Sequence, residues 1–81
     1  MHEQELIERY IENSPYGKAD ARLRDHGVHV WAIIGQLRVH NGDINEVVRD
    51  YRVPREAVEA ALAYYHQNQE YIDARLLLNS A

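Results

Sequence analysis

The stretch from Asp43 to Tyr65 reads DINEVVRDYRVPREAVEAALAYY. Apolar residues recur in its first part at the i, i+3, i+4 and i+7 spacing of an amphipathic helix. Its second part predicts another helix that opens at Pro54, because proline suits the first helical position. The two-residue turn Arg52-Val53 joins the two helices, which is the spacing of a helix-turn-helix. The apolar positions of the first helix are Ile44, Val47, Val48 and Tyr51.

A helix-turn-helix suggests DNA as a partner, and three arginines of this stretch are candidate contacts. We expect Arg55 to reach a guanine edge or a phosphate, and Arg49 and Arg52 to reach phosphates. Glu56 and Glu59 lie on the same side and would repel those phosphates. The alternative is a three-helix packing unit that does not bind DNA. In both cases the residues that hold the helices together are Val48, Val53, Val58 and Leu62.

The segment before this motif predicts the most apolar helix of the chain, from Val30 to about Val39. Asn41-Gly42 ends this helix, since glycine accepts the left-handed conformation that follows a helix. Asp43 then caps the next helix, and Glu46, three residues further on, completes a capping box. We therefore expect a tight turn between two helices immediately before the helix-turn-helix.

The N-terminal part predicts one helix and one or two short strands. The first helix extends from His2 to about Asn13, and Pro15 stops it because proline restricts the residue before it. Alternating apolar and polar residues between Ala19 and Val30 favour short strands around Asp25-His26-Gly27. Two short strands are barely stable alone, so we expect them to pair with a second subunit or to pack on the helices.

The C-terminal segment predicts a helix from Glu70 to about Leu78 that is apolar on more than one side. Periodicity leaves open whether this helix continues the preceding one or is broken near Asn68. A helix of this kind is covered by its own fold or by a partner. We expect a partner protein or a dimer mate to contact the tail through Tyr71, Ile72, Leu76 and Leu77.

The 81 residues predict a single domain and a mainly α-helical fold, a small helical bundle. An N-terminal helix occupies residues 1–16, a helix-turn-helix core residues 17–66 and a helical tail residues 67–81. The small size makes a homodimer a natural source of extra buried area. The net charge of −4 disfavours nucleic acid. No apolar run approaches the ~20 residues that cross a bilayer, so we expect no membrane partner and a cytoplasmic location.

Residues with catalytic or metal-binding chemistry do not form a recognisable set. His26 and His29, beside Asp25, are candidate ligands, but a zinc site needs three or four ligands with supporting contacts. The two serines, Ser14 and Ser80, lie at predicted helix ends, and the chain has no cysteine. The sequence therefore offers no clear pairing of a nucleophile with a positioned base. We predict no catalytic residue, no metal site, no cofactor and no enzyme activity.

The segment ARLRDHGVHVW, from Ala21 to Trp31, together with DINEVVRDY and REAVEAALAYY, resembles the domain of unknown function 433 family over residues 17–75. That family carries Gly-Thr-Arg where this chain has Asp25-His26-Gly27. The resemblance implies a homeodomain-like helix-turn-helix fold. It also implies an antitoxin that blocks a PIN-like ribonuclease toxin and represses its own operon as a dimer. The matching positions are Leu23, Val28, Val30, Trp31, Tyr51, Ala61, Leu62 and Tyr64.

The residues and the resemblance lead to two hypotheses. In the first, the chain is an antitoxin-like protein whose tail engages a PIN-like toxin or a dimer mate and whose arginines bind operator DNA weakly. An acidic protein suits this role, since complementary charge speeds association with a nuclease surface that binds RNA. In the second, the chain is a homodimeric interaction module without DNA binding.

Overall fold

The computed structural model describes residues 2–79 and shows a mainly helical small bundle, as the sequence predicts. This range contains five α-helices and one short antiparallel sheet. Met1, Ser80 and Ala81 lie outside the described residues, so one of the two serines considered above, Ser80, is not described. The helices are α1 (His2–Tyr10), α2 (Val30–Val39), α3 (Ile44–Tyr51), α4 (Arg55–Gln67) and α5 (Gln69–Asn79).

The first strand of the sheet occupies residues for which the sequence predicts the end of the first helix. α1 ends at Tyr10, and Ile11–Glu12 form strand β1 instead of a last helical turn. β1 pairs antiparallel with β2 (Arg22–Leu23). The prediction of a helix to Asn13 is wrong at these residues, because the pairing partner lies further along the chain. The helical spacing of apolar residues cannot reveal such a partner.

Arg24 secures the end of α1. Its guanidinium donates to the carbonyl oxygens of Glu8 at 3.2 Å and Ile11 at 2.9 Å. Its backbone N–H donates to the carbonyl oxygen of Tyr10 at 2.8 Å. The last carbonyls of a helix have no partner within the helix. Arg24 therefore satisfies the end of α1 and anchors the chain that follows β2.

The strands predicted between residues 19 and 30 reduce to one strand and one isolated bridge. A 3₁₀ turn occupies Lys18–Asp20, β2 follows it, and Arg22 forms a single bridge with His29. Gly27 turns the chain between them with a φ of 69°, a left-handed conformation that glycine adopts without strain. Within residues 2–79 the partner strand is β1, so the chain completes this sheet without a second subunit.

The α2–α3 connection confirms the predicted bounds of α2 but only half of the capping box. Asp43 Oδ1 accepts a hydrogen bond from the Asn45 N–H at 3.0 Å, as an N-cap does. The Asp43 N–H, however, donates to the carbonyl oxygen of His40 at 3.1 Å. The Glu46 carboxylate accepts from Arg49 instead. The second half of the predicted box is wrong, because the turn already satisfies the Asp43 N–H.

α4 is the central helix and is buried on several sides. It packs against α1, α2, α3 and α5. The Tyr64 hydroxyl donates to the carbonyl oxygen of Lys18 at 2.8 Å, and burial raises the pKa of this phenol. The alanines let neighbouring helices approach closely. The buried residues of α4 are Ala57, Val58, Ala60, Ala61, Ala63 and Tyr64.

A break at Asn68 separates α4 from α5, so the C-terminal segment is a separate helix and not a continuation of α4. The Asn68 N–H donates to the carbonyl oxygen of Tyr65 at 3.1 Å, and its side chain donates to that of Tyr64 at 3.0 Å. α5 then packs against α2 and the 3₁₀ turn. A 2.6 Å ion pair between Arg75 and Asp20 joins α5 to that turn. The hydrogen bond from Arg75 holds the pKa of Asp20 below its usual value.

Candidate functional site

The turn of the helix-turn-helix is closed by Arg52 in a left-handed conformation. Its φ is 56° and its ψ is 48°, which costs a residue with a side chain roughly 1–2 kcal/mol. The Arg52 N–H donates to the carbonyl oxygen of Val48 at 2.8 Å and so ends α3. Val48 and the other three predicted packing residues contact the same core. These are Val53 and Val58, which are buried, and Leu62, which is partly buried.

Two of the three predicted DNA-contacting arginines are paired within the chain. Arg49 Nη1 donates to both carboxylate oxygens of Glu46, at 3.1 and 3.2 Å. Arg55 donates to Asn45 Oδ1 at 2.9 Å and lies 3.4 Å from the Glu59 carboxylate. Exposed pairs of this kind contribute little to stability, but a phosphate must displace the carboxylate before it can bind. The positive charge offered by this face is therefore small.

The N-terminal end of α4, which would enter the major groove, is in contact with α1. α4 begins at Arg55, with Pro54 as its N-cap. The Glu56 carboxylate accepts a hydrogen bond from the Tyr10 hydroxyl at 2.8 Å, and this bond raises the pKa of Tyr10. Arg9 lies 4.0 Å from the same carboxylate. The reading end of the helix is thus partly covered by the protein itself.

The four predicted partner-contacting residues of the tail do not form one surface. Ile72 is fully buried in the protein's own core, so it presents no surface to a partner. Tyr71 is 49% exposed and lies against Lys18, whose Nζ is 5.3 Å from the ring centroid. Leu76 is partly buried, and Leu77 is 74% exposed next to it. Leu76 and Leu77 are the two that remain neighbours at the surface.

An apolar depression of about 420 Å³ runs between α2 and α5. Gly35 lies in its floor and lets Leu76 of α5 approach α2 closely, since a Cβ at this position would lie 3.3 Å from Leu76 Cδ2. Val39, at the end of α2, is 68% exposed along its edge. A glycine inside a helix costs about 1 kcal/mol relative to alanine, so Gly35 was a sequence signal for close packing. This α2–α5 groove is lined by Trp31, Ala32, Gly35, Gln36, Val39, Tyr51, Leu76 and Asn79.

A hydrogen-bonded cluster lies in a neighbouring depression that meets the groove at Leu76. Arg38 donates to Asp73 Oδ1 at 2.8 Å and to the Tyr65 hydroxyl at 3.0 Å, and Tyr65 donates to the same Asp73 oxygen at 2.8 Å. The hydrogen bonds from Tyr65 and Arg38 hold the pKa of Asp73 below its usual value. Arg38 and Asp73 also line a depression with Leu76 and Leu77. Polar side chains therefore lie next to the apolar groove, as they do at the rims of protein interfaces.

The residues considered for metal binding or catalysis are not assembled into a site. His26 is exposed in its turn, and the ring of His29 lies 5.8 Å from the ring of Trp31. Neither histidine belongs to a group of three potential metal ligands in the described part of the chain. Ser14 Oγ accepts a hydrogen bond from the Tyr16 N–H at 3.0 Å, which is a turn contact.

Comparison with known proteins leaves the family open. No protein-family model matches the sequence, and no curated protein and no solved structure matches it either. The resemblance to the domain of unknown function 433 family therefore stays a prediction. No helix within residues 2–79 combines the length and apolar character needed to cross a membrane.

Proposed function

We propose that the protein is an antitoxin-like binding protein that docks a PIN-like ribonuclease through the α2–α5 groove. The observation that carries the proposal is the groove itself, an apolar depression beside the exposed side chains of Val39 and Leu77. Exposed apolar surface with a polar rim is typical of protein–protein contact sites. The groove supports a protein partner, and the family resemblance supports the nuclease as that partner.

The charge of the protein favours a basic partner. The net charge is −4, and three of the carboxylates that contribute to it are exposed on α1, those of Glu3, Glu5 and Glu8. A nuclease surface that binds RNA carries positive charge, and opposite charges speed association and compete with the RNA. An acidic protein anchored by an apolar groove is therefore suited to cover such a surface.

Operator binding is the weaker part of the proposal. Phosphate contacts supply most of the affinity of DNA-binding proteins. Arg49 and Arg55 are paired with carboxylates, whereas the side chain of Arg52 has no hydrogen bond or ion pair within residues 2–79. One protomer is therefore expected to bind DNA weakly, and a dimer, which doubles the contacts, to bind it at low salt.

The proposal is tested by inhibition of the nuclease encoded by the neighbouring reading frame, which we expect to be PIN-like. The purified chain should inhibit its RNA cleavage. Val39→Glu and Leu77→Glu should each weaken inhibition at least tenfold, because burying an unpaired carboxylate costs more than the ~1.4 kcal/mol that equals a factor of ten. The matched control is Tyr16→Glu, at a side chain that is 86% exposed and does not line the groove.

Inhibition that is unchanged in both groove variants would overturn the groove as the docking surface. A neighbouring frame that encodes no nuclease, or a nuclease that the protein does not inhibit, would overturn the antitoxin function. If light scattering then shows a homodimer that Val39→Glu dissociates, the interaction module without a toxin is the function that remains. DNA binding is measured separately, by fluorescence anisotropy on upstream DNA at low salt with Arg52→Ala as the variant.

A further inference from the structure

We propose that His40, Glu46 and Asp50 bind a divalent transition-metal ion, and that zinc fits them best. One ligand atom of each side chain lies within 4.8 Å of the other two. Imidazole nitrogen and carboxylate oxygens are ligands that Zn²⁺ prefers. No other group of three such side chains occurs within residues 2–79. The inference does not depend on the proposed function.

The spacing of the three side chains is close to that of a zinc site. His40 Nε2 lies 2.9 Å from Asp50 Oδ2. Zinc bonds of about 2.0–2.2 Å place tetrahedral ligand atoms about 3.3–3.6 Å apart. Side-chain rotations that widen the His40–Asp50 separation and bring Glu46 closer would place the three atoms around an ion. The side chains are 27%, 35% and 38% exposed for His40, Glu46 and Asp50, so an ion can enter from solvent and keep water as its fourth ligand.

The backbone holds these ligands in place without any ion. Glu46 and Asp50 lie one turn apart on the same side of α3. His40 follows α2, and the turn after it has positive φ angles at Asn41 and Gly42. This turn directs the chain back so that the imidazole lies over α3.

Gln36 supplies the supporting contact that metal ligands usually have. Its Nε2 donates to Asp50 Oδ2 at 3.2 Å from the preceding turn of α2. Such contacts orient a ligating carboxylate and typically change metal affinity 10–100-fold. The site therefore joins α2 to α3 through His40, Gln36 and Asp50.

Arg49 competes with the ion for the Glu46 carboxylate. It holds both oxygens of Glu46 and is 71% exposed. An exposed pair of this kind is worth little, so a divalent cation displaces the guanidinium. Removing Arg49 is consequently expected to tighten metal binding, the opposite of the effect of removing a ligand.

The test is calorimetric titration of the untagged, chelator-treated protein with Zn²⁺. We expect one ion per chain, and a melting temperature that rises with zinc concentration, since a ligand of the folded state stabilises it. His40→Ala and Asp50→Asn should each weaken binding at least tenfold, while Arg49→Ala should strengthen it. The control is His66→Ala, because the His66 Nδ1 pairs with Glu3 at 3.9 Å but has no third ligand among residues 2–79.

Cobalt provides a second measurement that does not depend on stability. Co²⁺ bound by the wild type should develop a visible absorption band, and His40→Ala, shown to be folded by circular dichroism, should lack it. Absence of stoichiometric Zn²⁺ binding would overturn the inference. So would equal binding by the wild type and His40→Ala, because the group would then be only the two ion pairs His40–Asp50 and Arg49–Glu46.

Discussion

Replacing Ile72 with alanine tests which side of α5 faces the core. The side chain is fully buried, and the substitution removes three carbon groups worth about 0.8 kcal/mol each in transfer from water. The cavity left behind adds to this loss, so we expect the free energy of unfolding to fall by about 3–4 kcal/mol, within the range for such changes. A domain of this size has a total stability of only about 4–12 kcal/mol. The variant should therefore melt roughly 12–30 °C lower.

Leu77→Ala is the matched control on the same helix. Its side chain is 74% exposed, and a surface substitution of this kind changes stability by no more than about 0.5 kcal/mol. Urea unfolding followed by circular dichroism measures both variants. Ile72→Val, expected to cost about 0.5–1.5 kcal/mol, remains measurable if the alanine variant does not fold. Equal losses for Leu77→Ala and Ile72→Ala would refute the orientation of α5, and with it the exposure of Leu77 beside the groove.

Three further predictions concern the turn at Arg52, the groove, and the ion pair that joins α5 to the 3₁₀ turn. Arg52→Gly should stabilise the protein by about 0.5–1 kcal/mol, since glycine relieves the left-handed strain; a lower urea midpoint would contradict this. Gly35→Ala should change the free energy of unfolding by no more than about 0.5 kcal/mol, because the gain in helix propensity offsets the displacement of Leu76. It should weaken nuclease inhibition, since the added methyl group fills part of the groove. Unchanged inhibition would show that the partner does not need this space. Because folding lowers the pKa of Asp20, its charged carboxylate stabilises the folded state. This contribution to the free energy of unfolding is present above the ordinary pKa of 3.8 and is lost as the pH falls below 3.8. A double-mutant cycle of Asp20→Asn and Arg75→Gln in urea should show a coupling at about pH 7 that shrinks as the pH falls below 3.8. A coupling that does not change with pH would exclude the ion pair as its source.

Local signals in the sequence predicted the helices well and the long-range contacts poorly. The apolar spacing and the flanking turn predicted α2 at its observed bounds, and they predicted the turn at Arg52. The sequence does not reveal β1, because Ile11–Glu12 continue a helical pattern and become a strand only through pairing with β2. Periodicity identifies an apolar stripe but not what covers it, so the expected partner contact of Ile72 is wrong.

The same limit applies to the candidate sites, whose local patterns can be read from the sequence and whose long-range contacts cannot. Gly35 was a readable sign of close approach inside a helix. The pair Glu46 and Asp50 was readable as two carboxylates one turn apart. The turn at Asn41-Gly42 is predicted by the sequence, but the direction in which it sends the chain, which places His40 above α3, is not.

The position of α4 limits what the helix-turn-helix can do alone. Its exposed strip carries Arg55 and Glu59 as a pair, so a phosphate that takes Arg55 leaves the Glu59 carboxylate facing the DNA without a partner. That repulsion offsets much of the attraction between Arg55 and the phosphate. None of the three arginines Arg49, Arg52 and Arg55 lines the α2–α5 groove. On the proposed function, a basic toxin seated in the groove would leave these arginines uncovered and add its own positive charge to the complex. The complex should then bind operator DNA more tightly than the free protein, and the excess should vanish with Val39→Glu.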